Sequence, residues 1–149
     1  MIKNQKPKLI IFASGSKDAG ASGFRNLVAH QKLGLLNADI VAVVSNHENG
    51  GVRQIADSAG IKFIHFTGPY EPEEYKNVVN QSGADFVTLS GWLKLVSGLP
   101  QNKTFNIHPG PLPEFGGKGM YGHFVHEAVM QAFARGEITH SAVSMHFVT

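Results

Sequence analysis

The feature that most constrains the fold is a regular alternation of short apolar runs with longer segments in which apolar residues recur at helical spacing. The short runs are rich in β-branched residues and are bounded by glycine, proline or polar residues, which is typical of buried strands. They predict strands over residues 8–14, 38–45, 62–67, 84–91, 104–110 and 140–149. The longer segments predict helices over residues 23–36, 50–60, 72–83 and 122–136.

Strands that alternate with helices in this way form βαβ units, in which successive strands run parallel. Most of the predicted strands are apolar on both faces, as they must be when helices cover both sides of a sheet. We therefore predict an α/β fold, a Rossmann-like three-layer αβα sandwich with a mainly parallel sheet. The 149 residues, 42% of them hydrophobic, suffice for one domain over residues 1–149, and no linker or repeat divides them.

Composition excludes several classes of function. The absence of cysteine excludes disulfides, thiolate metal sites and cysteine nucleophiles. The formal net charge of +2 comes from scattered residues, so we expect no nucleic-acid partner. No apolar run approaches the ~18 residues of a membrane span, and the charged start is unlike a signal peptide. We therefore expect a cytoplasmic protein, a monomer or homodimer, that acts on small molecules without a membrane partner.

In sheets of this kind, ligands bind beyond the carboxyl ends of the strands. The first candidate segment there is glycine-rich, "ASGSKDAGASGF", in which Gly15, Gly20 and Gly23 permit left-handed turns. A loop of this kind before a helix favours an anion, although Ala21 replaces the lysine of a nucleotide-triphosphate loop. The segment predicts a site for one small phosphate; a flexible surface turn is the alternative. Its hydroxyls are those of Ser14, Ser16 and Ser22.

The second candidate segment is "FNIHPGPLP", in which Asn106 and His108 point to the same face of a strand that the following prolines must end. A carboxamide donor can stabilise a developing oxyanion by roughly 2.7–4 kcal/mol, and an imidazole can move protons near neutral pH. The pair therefore suits a reaction that develops an oxyanion and moves a proton, with no need of a covalent nucleophile or a metal. The alternative is that both side chains merely satisfy backbone groups in a proline-rich turn.

The third candidate segment is "SGWLKLVS", which can form an apolar wall with Trp92 or Leu93 against a ring, or can simply belong to the core. Together with "NIHPGPLP", "GKGMYG" and "HFVT", it makes nearly the whole chain resemble the folate-dependent formyltransferases. The resemblance implies that fold and transfer of a formyl group from 10-formyltetrahydrofolate, without a metal. The purine-synthesis members, which the chain resembles most, transfer it to the amine of glycinamide ribonucleotide.

The resemblance also implies roles for individual residues. Asn106 and His108 match catalytic positions. The other matched positions fall into three groups. For substrate phosphate they are Gly15, Ser22, Gly23 and Phe24; for the folate, Leu93, Lys94, Leu95, Val96 and Val148; in support, Gly91, Pro109, Ser144 and His146. A structural histidine bonded to a backbone carbonyl is an alternative for His146.

The chain departs from the family pattern at its end, where an aspartate that pairs with the catalytic histidine is expected about four residues past Thr149. The family's C-terminal strands and helix are missing as well, so we expect an incomplete catalytic domain. The alternatives are a non-catalytic relative that binds folate or nucleotide, or a relative that formylates another amine such as a sugar nucleotide. The long first loop and Pro72, where purine-synthesis members carry an arginine, favour the latter.

Overall fold

The computed structural model describes residues 4–16 and 21–148. Within this part of the chain the strands are β1 (Lys8–Phe12), β2 (Asp39–Ser45), β3 (Lys62–His65), β4 (Phe86–Leu89), β5 (Thr104–His108) and β6 (Ser144–Phe147). The helices are α1 (Ser22–Lys32), α2 (Gly51–Ala59), α3 (Pro72–Ser82) and α4 (His123–Ala134), and a short 3₁₀ helix, Gln101–Lys103, precedes β5.

The strands form one sheet in the order β3-β2-β1-β4-β5-β6. β1 pairs in parallel with both β2 and β4, and β2 pairs in parallel with β3. The mainly parallel α/β sheet predicted from the alternation of elements is therefore confirmed. Successive side chains of β1 point to opposite faces of the sheet, and both faces are covered, which explains why the sequence of β1 is a continuous apolar run.

Two apolar clusters lie on the two faces of β1. Leu9 and Ile11 pack on one face with α1 and α2 residues such as Phe24 and Val52. Ile10 and Phe12 pack on the other with Tyr75 of α3 and with Trp92 and Val96, which follow β4. Burial of both faces is what makes the sheet the central layer.

Glycines follow two of the helices, at the last residues of the ranges that the sequence predicted for them. Gly60 follows α2 and Gly83 follows α3, each with φ of 68°. A residue with a side chain is strained in this left-handed conformation, and glycine is not.

Two element boundaries differ from the prediction by four residues, and the other described boundaries differ by at most two. α1 ends at Lys32 because the chain turns at Gly34, where φ is 74°, and the amides of Leu35 and Leu36 both donate to the carbonyl of His30. β6 starts at Ser144, so the predicted strand began four residues too early; its predicted last residue, Thr149, lies outside the described residues.

The residues group into two compact units, one comprising the chain up to Phe105 and from Phe147, the other Asn106–His146. In the second unit α4 buries Val125, Val129 and Ala132. A Cβ on Gly110 would lie 2.6 Å from Cγ1 of Val125, so the turn after β5 packs closely on α4. One domain over residues 1–149 stays a prediction. None of the helices described is long and apolar enough to cross a membrane.

Candidate active site

Asn106 lies half-buried in β5 and bonds to a histidine that is 40 residues away in the sequence. Its amide Nδ2 is 3.0 Å from Nε2 of His146 in β6. A carboxamide nitrogen can only donate, so Nε2 of His146 accepts and is unprotonated in this arrangement. The amide carries a second N–H, which remains a potential donor to a substrate oxygen.

His108 ends β5 and is 8% exposed. Its Nε2 lies 2.6 Å from the carbonyl oxygen of Phe115, in the turn that follows the strand. A carbonyl can only accept, so Nε2 carries the hydrogen and Nδ1 is the nitrogen that can exchange a proton with another group. The alternative prediction, that His108 satisfies a backbone group, thus applies to one of its two ring nitrogens, Nε2.

The turn that follows β5 is held by Ser144, whose hydroxyl donates to the carbonyl of Gly110 at 2.9 Å. Ser144 and His146 are two apart in β6 and share a face, as the alternation of a strand requires. One strand therefore fixes the turn through Ser144 and contacts Asn106 through His146. Pro109, predicted to support the site, is half-buried within this turn.

The phosphate-binding prediction falls on the start of α1. Ser22 is the first helical residue, and Ala21 before it provides no side-chain cap. The amides of Ser22, Gly23 and Phe24 therefore lack intrahelical acceptors, which suits an anion. The Phe24 side chain is fully buried, so only its backbone can meet a ligand.

Two glycines of the first loop have distinct structural reasons. Gly15 has φ of 62°, a conformation that favours glycine. A Cβ on Gly23 would overlap Oγ of Ser90, so close approach requires glycine there. Gly20, the third glycine of the prediction, lies outside the described residues. Ser14 is buried and its Oγ accepts from the amide of Leu93 at 3.0 Å, so it is not an exposed loop hydroxyl.

The predicted folate segment follows β4 and the left-handed turn at Gly91, where φ is 75°. Leu93 is 58% exposed and Leu95 86% exposed. The ammonium of Lys94 lies 5.3 Å from the ring centroid of Tyr70. Val96 is buried and Val148 half-buried in the same apolar cluster. This segment therefore presents two exposed leucines and the ammonium of Lys94 next to valines that are packed in the apolar cluster.

Trp92 does not form an exposed wall, which was one of the two readings of this segment. Its indole packs edge-on against Phe12 and lies parallel to Phe66, and its Nε1–H donates to the hydroxyl of Tyr75 at 3.1 Å. Trp92 belongs to the core because its neighbours on β1 and α3 are aromatic.

Two groups that shape these segments were not predicted from the sequence: the hydroxyl of Tyr75 and the carbonyl of Phe115. The hydroxyl of Ser14 was predicted as part of the phosphate loop, and its contact with the amide of Leu93 was not. Tyr75 sits on the apolar face of α3 and is indistinguishable there from a packing residue. A backbone carbonyl has no side-chain signal at all. Among residues 4–16 and 21–148, no three His, Asp or Glu side chains are grouped to hold a metal ion.

Comparison with known proteins gives matches over nearly the whole chain. The formyl transferase family profile matches residues 7–149. The chloroplastic phosphoribosylglycinamide formyltransferase of Arabidopsis thaliana is 37% identical over 156 residues, covering 97% of this chain and 50% of that protein. The crystal structure of phosphoribosylglycinamide formyltransferase from Brucella melitensis has a TM-score of 0.79 and 26% identity, covering 97% of this chain and 74% of that one.

The crystal structure of glycinamide ribonucleotide transformylase 1 from Symbiobacterium toebii has a TM-score of 0.78, covering 99% of this chain and 68% of that one. Its identity of 23% makes this likeness one of fold alone. The chain spans about half the length of the curated relatives it matches. Since the family profile extends from residue 7 to residue 149, the chain belongs to the formyl transferase family.

Proposed function

We propose that the protein containing this chain transfers a formyl group from 10-formyltetrahydrofolate to the amine of glycinamide ribonucleotide, a step of purine biosynthesis. The observation that carries the proposal is the Asn106 carboxamide, held within β5 by a hydrogen bond to Nε2 of His146. The likeness to phosphoribosylglycinamide formyltransferase of Arabidopsis thaliana over 97% of this chain supports the substrate.

The reaction needs a donor to an oxyanion and a path for one proton. The amine nitrogen attacks the formyl carbon, a C–N bond forms, and the formyl oxygen becomes negative. The N–H of Asn106 that does not bond to His146 stabilises this oxygen, an effect on the order of 2.7–4 kcal/mol for one well-placed donor. Collapse of the intermediate breaks the bond between the formyl carbon and the folate nitrogen.

The proton balance assigns a task to His108. The attacking nitrogen loses a proton and the departing folate nitrogen gains one, so a group that accepts and then donates completes the transfer. Because Nε2 is committed to the carbonyl of Phe115, Nδ1 performs this exchange. Fixing one nitrogen also fixes the ring, which lowers the cost of aligning the other.

Substrate binding divides between the other predicted residues. The substrate phosphate accepts from the amides of Ser22, Gly23 and Phe24, which have no acceptor within α1, after the turn at Gly15. The folate ring contacts the exposed leucines at positions 93 and 95, with Lys94 beside them. Val96 and Val148 support this surface from the apolar cluster below, and no metal takes part. We also propose that the partners are these small molecules alone, that the protein is a monomer or homodimer, and that it acts in the cytoplasm.

The test is formyl transfer by the full product of the gene that encodes this chain. We expect Asn106→Ala and His108→Ala each to lower turnover at least about 100-fold, as removal of one transition-state donor does, while circular dichroism shows an unchanged fold. Turnover close to that of the wild type in either variant would contradict the roles assigned. A wild-type protein that binds both substrates without formyl transfer would contradict the proposed function itself.

A further inference from the structure

The exposed segment 93–95 has no regular secondary structure, yet it is tied at both ends to buried groups. At its first residue the amide of Leu93 donates to Oγ of Ser14 at 3.0 Å. Ser14 is itself fixed, because its amide donates to the carbonyl of Gly91 and its carbonyl accepts from the hydroxyl of Ser45 at 2.8 Å. Leu93 is therefore held by a group that cannot move freely.

At its last residue the carbonyl of Leu95 accepts from the hydroxyl of Tyr75 at 2.9 Å. The same hydroxyl accepts from Nε1–H of Trp92 at 3.1 Å, so one phenol bridges the residue before the segment and the residue that ends it. Tyr75 is fully buried, and its ring packs against Phe12 and Phe66. The second tie is thus as immobile as the first.

These ties hold two large apolar side chains in water. Exposed leucines gain nothing from their position in the free protein, because burial of their apolar surface against the protein would be more favourable. An irregular backbone keeps such a shape only where its polar groups have fixed partners. A segment that is tied at both ends while it presents two leucines is a preformed surface for an apolar ligand.

We propose that Ser14 and Tyr75 are positioning residues that hold segment 93–95 in the shape that receives the ring of the folate. This inference rests on the proposed function, which places the folate at this segment. Neither residue touches the folate. Each acts through a hydrogen bond to the backbone, and together they lower the ordering cost of binding.

The experiment uses Tyr75→Phe and Ser14→Ala in the full gene product, with Tyr70→Phe as the matched control. Tyr70 packs on Trp92 and Phe66 in the same cluster, and its hydroxyl makes no hydrogen bond within the described residues. Binding of tetrahydrofolate is followed by quenching of Trp92, the only tryptophan of the chain. Hydrogen exchange of the Leu93 amide reports the tie without any ligand.

We expect Tyr75→Phe and Ser14→Ala each to weaken tetrahydrofolate binding by roughly three- to tenfold, the range for loss of the one hydrogen bond that each side chain makes to segment 93–95. In Tyr75→Phe the KM for the folate should rise by the same factor, with kcat and the KM for the amine substrate unchanged. Exchange of the Leu93 amide should accelerate in Ser14→Ala. Tyr70→Phe should match the wild type in every measurement.

Faster Leu93 exchange with unchanged folate binding would overturn the inference and leave the proposed function standing. Equal weakening in Tyr70→Phe would also overturn it, since the effect would then belong to the aromatic cluster as a whole. A wild-type protein that does not bind tetrahydrofolate would overturn the proposed function, and the inference with it. If Tyr75→Phe unfolds, Ser14→Ala decides the outcome.

Discussion

A carboxamide can rotate by half a turn and place its oxygen where its nitrogen was. The orientation of the Asn106 amide therefore depends on whether the neighbouring group accepts or donates a hydrogen bond. The amide nitrogen faces Nε2 of His146 at 3.0 Å, and an accepting Nε2 stabilises this rotation over the reversed one. This selection leaves the remaining N–H on a known side of the amide. We therefore expect His146 to be a positioning residue for the oxyanion donor proposed above.

Replacing His146 separates this role from simple packing. Glutamine offers a carbonyl oxygen that can accept from Asn106, whereas alanine offers none. We expect His146→Ala to lower kcat about tenfold, the scale of one lost hydrogen bond, and His146→Gln to recover most of that loss. Steady-state formyl-transfer kinetics of the two variants are the measurement. Equal kcat values would show that the acceptor does not orient Asn106.

Tyr75 gives a pH dependence whose sign can be worked out. Burial raises the pKa of Tyr75 above its ordinary value of 10.0, and this outweighs the hydrogen bond from Trp92, which lowers it. Above pH 10 the unfolded tyrosine therefore ionises before the folded one. The stability that Tyr75 contributes is fully present below this pH and is lost as pH rises toward the folded pKa.

We expect the difference in unfolding free energy between the wild type and Tyr75→Phe to shrink between about pH 8 and about pH 11, by at most about 1.4 kcal/mol per pH unit. Urea unfolding at several pH values measures it. Tyr121→Phe, which removes an exposed phenol, is the control. A difference that stays constant, or grows, with pH would contradict a raised pKa.

At the scale of helices and strands, the sequence located elements well and boundaries less well. Periodicity and the glycines at positions 60 and 83 placed α2 and α3 with their ends, because a left-handed stop is a local property. The predicted start of β6 was wrong because the alternation of side chains does not distinguish a hydrogen-bonded strand from an extended segment without a partner strand. Val143, inside the predicted strand, is 72% exposed and precedes the paired residues.

The contact between the β5 turn and α4 gives a prediction at this scale. A methyl group on Gly110 would lie 2.6 Å from Cγ1 of Val125 and 3.4 Å from Cβ of Phe115. Gly110→Ala should therefore destabilise the protein by about 1–3 kcal/mol, as overpacking does. Urea unfolding gives the value.

The double variant Gly110→Ala/Val125→Ala tests the cause, since Val125→Ala removes the atom that the new methyl group would meet. We expect the double variant to be less destabilised than the sum of the two single variants. Strict additivity would mean that the turn moves away from α4 at little cost, and that close packing is not why glycine is needed there.

Across the whole molecule, the sequence indicated candidate site residues but not the contacts that hold them. The spacing of Asn106 and His108 placed both on one face of β5, yet their partners are His146 and the carbonyl of Phe115. Trp92 shows the same limit: only packing against Phe12 and Phe66 decides that it is core. Partners brought together by the fold leave no local pattern in the sequence.

The last prediction concerns whether the chain unfolds as one domain. β5 contributes Thr104 and Phe105 to the first compact unit and Asn106, Ile107 and His108 to the second, so the unit boundary falls inside a strand. Because the two parts of β5 belong to one continuous strand, we expect them to lose their pairing in a single cooperative transition. We therefore expect Trp92 fluorescence and the NMR signals of the α4 backbone amides to give the same midpoint of urea unfolding. In Gly110→Ala both midpoints should fall together, although the substitution lies only in the second unit; loss of the α4 signals at lower urea than the Trp92 transition would mean two domains.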